Sequence, residues 1–325
     1  MKTLTMAGAV AEALAEEMER DPKVFVLGED VGKMGGAFEA TAGLFERFGA
    51  DRVIDTPVSE AGIVGAAIGA ALAGMRPVAE VQYIEFLGYI DPLINHMAKI
   101  PYMSGGRIRL PVVVRLPNGG KLGNAAPHSQ YLESWFMHTP GVHVVMPSTP
   151  ADAKGLLKTA IRNDNPVVFI EDKLLYYRAA AVPDDDATIP FGRAAVVREG
   201  DAATIVAVGH AVVRARAAAN ELQNRGVDVE IIDPRTLNPL DMETITNSAK
   251  KTGRVLIVHL ACLTGGIGAE ISARITEQAF DYLDAPVKRV AGLDCPIPYN
   301  LKQEIYATPS EEDIVAAVLG LLGGE

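Results

Sequence analysis

The chain has 325 residues, of which 49% are hydrophobic and 22% charged, a composition that excludes disordered and fibrous proteins. Its length predicts about two domains. The formal net charge is −11 and the pI is near 5.1, so no nucleic-acid partner is expected, because nucleic-acid binding usually needs a basic surface. Two cysteines are too few for a disulfide framework or a four-ligand zinc site.

The first residues lack the apolar core of a signal peptide. Residues 61–75 carry no charge, but this stretch is shorter than the roughly 18 residues that a membrane-spanning helix needs. The segment is therefore predicted to be a buried core helix. We expect a cytoplasmic protein without a membrane partner.

Short apolar strands alternate with helices through the first 180 residues. A helix is predicted over 5–20, capped by Thr5 and with Val10, Leu14 and Met18 on one stripe. A glycine loop follows the first predicted strand at 28–36. The predicted strands are 24–27, 78–83, 112–114, 142–145 and 167–170, and the predicted helices are 88–99, 130–137 and 151–162. This alternation predicts a parallel sheet that is covered on both faces.

A linker is predicted at 181–191, where proline and an acidic run at 184–186 interrupt the apolar pattern. The same alternation then resumes. Further strands are predicted at 204–208, 227–232, 254–258 and 287–290, with helices at 211–224 and after Gly268. The predicted fold class is α/β, with two doubly wound parallel-sheet domains at 1–180 and 192–325.

Common catalytic and nucleotide-binding motifs are missing from the sequence. It contains no G-x-x-x-x-G-K-[ST] phosphate loop, no H-E-x-x-H and no G-x-S-x-G. The turn at 264–268 follows a strand and opens a helix, but Ile271 stands where the third glycine of a dinucleotide-binding motif belongs. We predict that this turn serves tight strand–helix packing rather than nucleotide binding.

Glu60 opens an otherwise uncharged helix after Ser59, a suitable N-cap. A carboxylate at this position could simply stabilise the helix dipole, by roughly 0.3–1 kcal/mol. The small residues that follow would let another backbone approach closely: Gly62, Gly65, Ala66, Gly69, Ala70 and Ala73. A carboxylate in such a dense contact is a candidate functional group. The packing partner of this face could be the chain's own sheet or another subunit.

Glu60, Gly65 and Gly69 match the E-x4-G-Φ-x-x-G pattern of the pyrimidine-binding domain of thiamine diphosphate enzymes. Further short motifs make the resemblance specific to one family of these enzymes. They occur in the family's order at 28–32, 55–57, 102–106, 128–130, 147–150, 152–157, 235–237 and 284–287. Over nearly its whole length the chain resembles the β subunit of the decarboxylating component of 2-oxo acid dehydrogenase complexes, namely the pyruvate, branched-chain and acetoin enzymes. The resemblance implies a pyrimidine-binding domain followed by a transketolase-C-terminal-like domain.

The resemblance implies thiamine diphosphate as cofactor, which the protein orients and tunes. Glu60 matches the carboxylate that hydrogen-bonds the pyrimidine ring and favours the tautomer in which the aminopyrimidine acts as a base. Phe86 matches an aromatic residue against this ring, and Tyr83 is a second candidate, although both could be ordinary core residues. Glu29 matches an acidic residue near the cofactor.

His128 lies in a loop of small residues, where core packing is a poor explanation for a histidine. The resemblance implies that it contacts the substrate or the incoming lipoyl group. A structural potassium ion is implied near the end of the helix predicted at 151–162, although a simple helix stop before Pro166 would also explain this sequence. The matching potassium ligands are Val112, Ala160, Ile161, Asn163 and Asn165.

The motif that holds the diphosphate and Mg²⁺ in the family, G-D-G with later asparagines, is missing here. The resemblance therefore implies an α subunit that completes the cofactor site, in a heterotetramer of two α and two β chains. The second domain is expected to assist assembly and docking to the dihydrolipoyl acyltransferase core with its lipoyl domain. Two residues depart from the family pattern: Leu260, where many relatives have glutamate, and Pro127, which precedes the histidine.

The predicted function is that of an enzyme subunit, an oxidoreductase that acts on 2-oxo acids with lipoamide as acceptor. Oxidative decarboxylation of pyruvate or a related 2-oxo acid is the leading hypothesis. Acetoin cleavage uses the same cofactor chemistry and is a close alternative. A non-catalytic binding module of the same fold is the alternative from a different class. The sequence does not identify the substrate, because the α subunit shares its pocket.

Overall fold

A computed structural model describes residues 1–120 and 123–323. The chain forms two compact units, and each is described by itself. The first unit comprises Met1–Asn118 and Trp135–Phe191, and the second comprises Gly119–Ser134 and Gly192–Glu325. The predicted first domain, 1–180, includes 119–134. The structure assigns this segment to the second unit because Tyr131 packs into the apolar core of that unit.

Strands and helices alternate along both units. The strands are β1 (Lys2–Thr5), β2 (Val24–Gly28), β3 (Val53–Asp55), β4 (Arg76–Glu80), β5 (Val113–Asn118), β6 (His143–Val145), β7 (Val167–Asp172), β8 (Ala179–Val182), β9 (Ala195–Arg198), β10 (Ala203–Ala207), β11 (Val229–Asp233), β12 (Thr236–Asn238), β13 (Val255–Cys262) and β14 (Lys288–Gly292). The α-helices are α1 (Met6–Arg20), α2 (Leu44–Phe48), α3 (Glu60–Leu72), α4 (Ile100–Met103), α5 (Glu133–Met137), α6 (Pro150–Arg162), α7 (Ala211–Asn224), α8 (Met242–Thr252), α9 (Ile267–Ala279), α10 (Leu301–Tyr306) and α11 (Glu311–Leu321).

The first unit is built on a parallel sheet in the order β6-β7-β5-β4-β2-β3. Strands β2, β5 and β7 are buried along their whole length. The apolar residues that open each of these strands are typical of strands that helices cover on both faces. Parallel strands place their carboxyl ends at one edge of the sheet, and the loops at that edge carry Glu29 and Glu60.

Helix α1 begins as the sequence predicted. The Thr5 hydroxyl accepts a hydrogen bond from the Gly8 backbone N–H at 3.0 Å, which satisfies one of the free donors of the first turn. Val10, Leu14 and Met18 are buried on the predicted stripe. The cap and the stripe are both confirmed.

A two-stranded antiparallel ribbon of the first unit was not predicted from the sequence. Strands β1 and β8 pair in the register Lys2 with Val182 and Thr5 with Ala179. Strand β8 therefore occupies the start of the predicted linker at 181–191. The prediction missed this pair because the two strands are distant in sequence, and β8 has no alternating apolar pattern of its own.

The helix predicted at 88–99 is irregular in the structure. A single 3₁₀ turn, Leu87–Tyr89, precedes a π-helical segment, Pro92–Met97. In this segment the Ala98 N–H donates to the Leu93 carbonyl, five residues back, at 2.9 Å. The Tyr89 hydroxyl donates to the Ile84 carbonyl at 2.7 Å and so fixes the start of the irregular stretch. Wide turns of this kind are frequent at functional sites.

The second unit is built on a sheet in the order β14-β13-β10-β11-β9. All neighbours are parallel except β9, which pairs antiparallel to β11 at one edge. The core lies between this sheet and helices α7 and α11, where buried alanine, valine, isoleucine and leucine side chains form one cluster. The fold is thus α/β with two mostly parallel sheets, as the sequence predicted. In the described residues, no helix has both the length and the apolar character of a membrane span.

Candidate active site

Glu60 is the first residue of α3, as predicted from the sequence. Ser59 occupies the N-cap position, but its hydroxyl donates to the Pro57 carbonyl at 3.1 Å and does not cap the helix. The Glu60 side chain is half-buried and lies beside the 3₁₀ turn, where a Cβ on Gly88 would be 3.7 Å from Glu60 Oε2. The structure therefore presents a carboxylate at a helix N-terminus, against a position that has no side chain.

The small-residue face of α3 is exposed in this chain. Ile63, Val64 and Ala67 are among the residues that bury the opposite face. The exposed small residues include Gly62, Gly65, Ala66 and Gly69. The sequence left open whether this face packs on the chain's own sheet, and the structure shows that it does not. A close-packing partner of this face, if the helix has one, must come from outside the chain.

Glu29 lies in the glycine loop after β2, at the same edge as Glu60. Burial raises the pKa of Glu29 above its usual value, and the negative charges of Glu60 and Asp30 raise it further. The Asp55 carboxylate accepts a hydrogen bond from the Gly32 N–H at 2.6 Å and so ties the loop to the end of β3. The structure therefore brings Glu29 and Glu60 together, as a pair of interacting carboxylates.

Tyr83 and Phe86 lie next to each other after β4. Their rings meet edge to face, with centroids 5.2 Å apart. Tyr83 also meets Phe38 edge to face, at 6.1 Å, and Lys173 Nζ lies 4.6 Å from the centroid of the Tyr83 ring. Burial raises the pKa of the Tyr83 hydroxyl, with a further contribution from the Glu85 charge. Both aromatic candidates are half-buried and could offer a ring surface to a flat ligand.

A buried ion network lies below this edge and was not predicted. Arg115 on β5 donates to both oxygens of Glu171 on β7, at 2.6 Å each, and to Glu80 on β4 at 2.5 Å. The Tyr176 hydroxyl donates to Glu171 Oε2 at 2.6 Å. Burial raises the pKa of Glu80, and Arg115 opposes this shift. Charged residues within or next to three short apolar runs were the signal from which the sequence could have revealed the network.

His128 belongs to the second unit, whereas Glu60 and Glu29 belong to the first. It ends a 3₁₀ turn, Ala126–His128, that contains Pro127 at its start and follows Ala125 in a left-handed conformation with φ of 61°. The side chain of His128 is half-buried. Pro127 is therefore built into the turn that presents the histidine.

Two of the predicted potassium ligands accept hydrogen bonds from a guanidinium group. Arg76 Nη1 donates to the carbonyls of Ile161 and Asn163 at 3.0 and 3.1 Å. Its other terminal nitrogen pairs with Asp164 at 2.5 Å, and Asp21 lies 3.8 Å from Arg76 Nε. Two carboxylates thus balance the positive charge of Arg76.

The remaining predicted ligands also have partners in the protein. The Val112 carbonyl accepts from the Val167 N–H at 2.9 Å, and the Ala160 carbonyl accepts from the Asn163 N–H at 3.2 Å. The Asn165 N–H donates to Asn163 Oδ1 at 2.8 Å. A carbonyl oxygen has two lone pairs, so one hydrogen bond leaves each of these oxygens with further capacity. The helix end thus offers only oxygen ligands, which suit a hard cation.

The glycine turn at 264–268 packs against a buried histidine. A Cβ on Gly266 would overlap the His259 ring, and a Cβ on Gly268 would be 2.8 Å from His259 Nε2. The prediction of tight strand–helix packing is confirmed. Leu260, one of the two departures from the family pattern, is 3% exposed in the apolar core of the second unit.

Comparison with protein families defines the class of both units. The family model of the transketolase pyrimidine-binding domain matches residues 2–178, and that of the transketolase C-terminal domain matches residues 192–314. A solved structure, a split-gene transketolase described as an inactive β4 tetramer, superposes with a TM-score of 0.81 at 24% identity and covers 98% of both chains. This last likeness concerns the fold.

Relatives that match the chain over nearly their whole length identify the family within this class. The chain is 47% identical over 316 residues to the pyruvate dehydrogenase E1 component subunit β of Rickettsia conorii, with 97% of each chain covered. It is 46% identical over 321 residues to the 2-oxoisovalerate dehydrogenase subunit β of Bacillus subtilis, with 98% of each covered. The chain belongs to the family of E1 β subunits of 2-oxo acid dehydrogenases.

Proposed function

We propose that this chain is the β subunit of a thiamine diphosphate-dependent 2-oxo acid dehydrogenase. The reaction is oxidative decarboxylation of pyruvate or a related 2-oxo acid, with acyl transfer to lipoamide. The observation that carries the proposal is the interacting pair of Glu29 and Glu60, with Glu60 beside Gly88, close in sequence to the Tyr83–Phe86 ring pair. Relatives named for pyruvate and for 2-oxoisovalerate favour a 2-oxo acid over acetoin as substrate, and an enzyme over a non-catalytic module.

The residues present fit the pyrimidine end of the cofactor. Thiamine diphosphate would supply the carbon nucleophile for 2-oxo acid chemistry. In our proposal Glu60 hydrogen-bonds to the pyrimidine ring nitrogen. Glu29, whose pKa is raised by burial and by the charges of Glu60 and Asp30, lies near it. Phe86, which meets Tyr83 edge to face, would pack against the pyrimidine ring and exclude water.

The second catalytic candidate is His128. Its turn is held by Pro127 and by the left-handed Ala125, so the imidazole is presented from a constrained backbone. We propose that it contacts the substrate or the incoming lipoyl group and donates a hydrogen bond or a proton there.

An α subunit completes the cofactor site in this proposal. It holds the diphosphate and most of the Mg²⁺ coordination, in a heterotetramer of two α and two β chains. The exposed small-residue face of α3 supports a partner that packs closely against the helix bearing Glu60. The dihydrolipoyl acyltransferase core and its lipoyl domain are the further partners.

We also propose a structural potassium ion, held by the free lone pairs at the end of α6. The ligands would be Val112, Ala160, Ile161, Asn163 and Asn165. Replacing potassium by sodium at constant ionic strength is then expected to lower the melting temperature of the chain, because sodium is too small for carbonyls fixed by their other hydrogen bonds. Equal melting temperatures in the two salts would refute the proposed potassium site.

The cytoplasmic location stays a proposal as well. It is supported by the two cysteines, Cys262 and Cys295, both of which are free thiols in the structure, as expected in a reducing compartment. Cell fractionation with an antibody against the chain tests it, and recovery in a membrane or extracellular fraction would contradict it.

The central experiment combines the purified chain with a family α subunit, thiamine diphosphate and Mg²⁺. Reduction of a dye acceptor is measured with pyruvate, branched-chain 2-oxo acids and acetoin. Glu60→Gln is expected to lose most of the activity, whereas Glu46→Gln, an exposed carboxylate of the same unit, is expected to keep it. Full activity of Glu60→Gln, or full turnover by the chain without an α subunit, would refute the proposed mechanism.

A further inference from the structure

A cavity of about 550 Å³ lies within the second unit, at the carboxyl ends of β13 and β14. Its lining comes from 260–262 and 264 at the end of β13, from 292–297 at and after the end of β14, and from 126 and 130–132. The described residues of this lining include none of the predicted catalytic or cofactor-binding residues. The carboxyl edge of a parallel sheet is where α/β proteins commonly place functional groups, so this cavity needs an explanation of its own.

Both cysteines of the chain, Cys262 and Cys295, line this cavity. Both are free thiols, of which Cys262 is exposed and Cys295 is half-buried. They are distant in sequence, but the sheet brings them close because Cys262 pairs in register with Gly292, just before Cys295. The fold therefore gathers every thiol of the chain on the wall of one cavity.

Hydrogen bonds hold the two cysteine-bearing segments against each other. The Leu263 N–H donates to the Gly292 carbonyl at 3.0 Å. The backbone N–H and the hydroxyl of Thr264 both donate to the Asp294 carboxylate, at 3.0 and 2.6 Å. The residues that follow the first cysteine are thus fastened to the turn that precedes the second.

The electrostatics of Cys262 place its sulfur beside Cys295. Burial raises the pKa of the Cys262 thiol, and the charges of Asp294 and of the Cys295 thiolate raise it further. The Cys295 backbone N–H opposes this shift and lowers the pKa, as a hydrogen-bond donor to the Cys262 thiolate. A thiol with a raised pKa is largely protonated near neutral pH and reacts slowly. The pair therefore differs from the activated cysteines of thiol-dependent catalysis.

We propose that Cys262 and Cys295 form a reversible intramolecular disulfide, with a low-molecular-weight disulfide as the oxidant. The exposed Cys262 reacts first: its thiolate attacks one sulfur of the small disulfide, a small thiol leaves, and a mixed disulfide remains. The Cys295 thiol then loses its proton and attacks the Cys262 sulfur, and the second small thiol leaves. In sum, the two cysteines lose two electrons and two protons, which the small disulfide gains.

The new bond would tie the end of β13 to the turn after β14, across one wall of the cavity. A disulfide requires two Cα atoms within about 7 Å of each other, so its formation in the folded chain measures the proximity that the hydrogen bonds indicate. This inference does not depend on the proposed function, because it concerns thiols that have no part in that reaction.

The test equilibrates the purified full-length chain with glutathione disulfide. Free thiols are then blocked with an alkylating reagent, and the chain is weighed by mass spectrometry. We expect the wild type to lose both alkylation sites, to become lighter by two hydrogen atoms and to stay a single chain on a non-reducing gel. Reduced dithiothreitol should restore both thiols. Cys295→Ser removes the resolving thiol and should stop at a mixed disulfide with one glutathione on Cys262.

Thr264→Val tests whether the hydrogen bonds to Asp294 hold the pair together. The variant loses the hydroxyl bond and keeps the carboxylate charge, so we expect ring closure to slow by about 5- to 10-fold and the mixed disulfide to accumulate. Thr264→Ser keeps a hydroxyl and should restore the wild-type rate. Thr276→Val is the matched control, an exposed threonine of α9 whose hydroxyl donates within its own helix, and should close at the wild-type rate.

Several outcomes would overturn the proposal. These are a wild-type chain that keeps both thiols in glutathione disulfide, one that ends as a mixed disulfide, and one that forms disulfide-linked dimers. A disulfide that forms in urea but not in the folded chain would overturn it as well, because the folded structure must supply the proximity. No readout uses substrate or cofactor. An assembled enzyme without turnover would therefore refute the proposed function and leave the thiol result standing.

Discussion

Replacement of Arg115 by methionine should destabilise the first unit strongly. Arg115 is 1% exposed and Glu80 and Glu171, its two partners, are 2% and 0% exposed. Methionine has a similar length but no charge, so the substitution leaves two carboxylates buried without their cation. Breaking a buried ion pair in this way typically costs about 3–5 kcal/mol.

The expected shift in melting temperature follows from this cost. A domain of this size loses about 2–4 °C per kcal/mol, so we expect the melting temperature of the first unit to fall by about 6–20 °C. Trp135 is the single tryptophan and lies in the first unit, so its fluorescence reports the unfolding of that unit. Urea titrations followed by Trp135 fluorescence then give the change in unfolding free energy of the first unit.

The matched control is Arg47→Met, which lies in the same unit. Arg47 and Glu19 form an exposed ion pair, with 49% and 53% of their side chains accessible, and such pairs contribute about 0.2–1 kcal/mol. A loss in Arg115→Met that is no larger than in this control would refute the reasoning, because it would mean that the buried carboxylates are not costly once unpaired.

The same variant has an expected pH dependence. Burial already raises the pKa of Glu80, and Arg115 opposes this shift, so removal of Arg115 raises the pKa further. A carboxyl with a raised pKa in the folded state binds its proton more tightly there than in the unfolded chain. The stability of Arg115→Met relative to wild type should therefore improve as the pH falls towards the raised pKa. A constant difference from pH 8 to pH 5 would contradict this account.

Three further predictions concern pH and helix capping. Burial and the Glu60 charge raise the pKa of Glu29 above 4.5, so stability should fall as the pH rises from 4.5 through the raised value. Glu29→Gln should remove this slope in urea titrations made from pH 4.5 upwards. Burial lowers the pKa of His259 from 6.5 to about 4. Stability should therefore fall as the pH drops from about 6.5 towards 4, and a persistent slope in His259→Leu would contradict this. Thr5→Ala should cost about 0.5–2 kcal/mol by thermal unfolding and Ser59→Ala less, because only the first hydroxyl caps its helix; equal losses would count against the capping argument.

Local sequence patterns predicted most of the regular elements. The Thr5 cap of α1 was read correctly, and so was α7 at Ala211–Asn224. Both rely on interactions within one helix, between residues three or four positions apart. The position of Glu60 at the start of α3 was also predicted, because an N-cap and the first helical residue are adjacent in sequence. The roles of Glu60 and His128 as catalytic residues stay predictions.

Where partners are distant in the chain, the sequence did not decide the structure. The pairing of β1 with β8 joins residues at opposite ends of the first unit, and the Arg115 network joins three strands whose order is set by the crossovers. Likewise, only the tertiary structure assigns the His128 loop to the second unit and brings Cys262 and Cys295 to the wall of one cavity. Periodicity and capping are properties of short segments, which the sequence determines. The burial of a charge depends on which segments meet, and only the folded chain decides that.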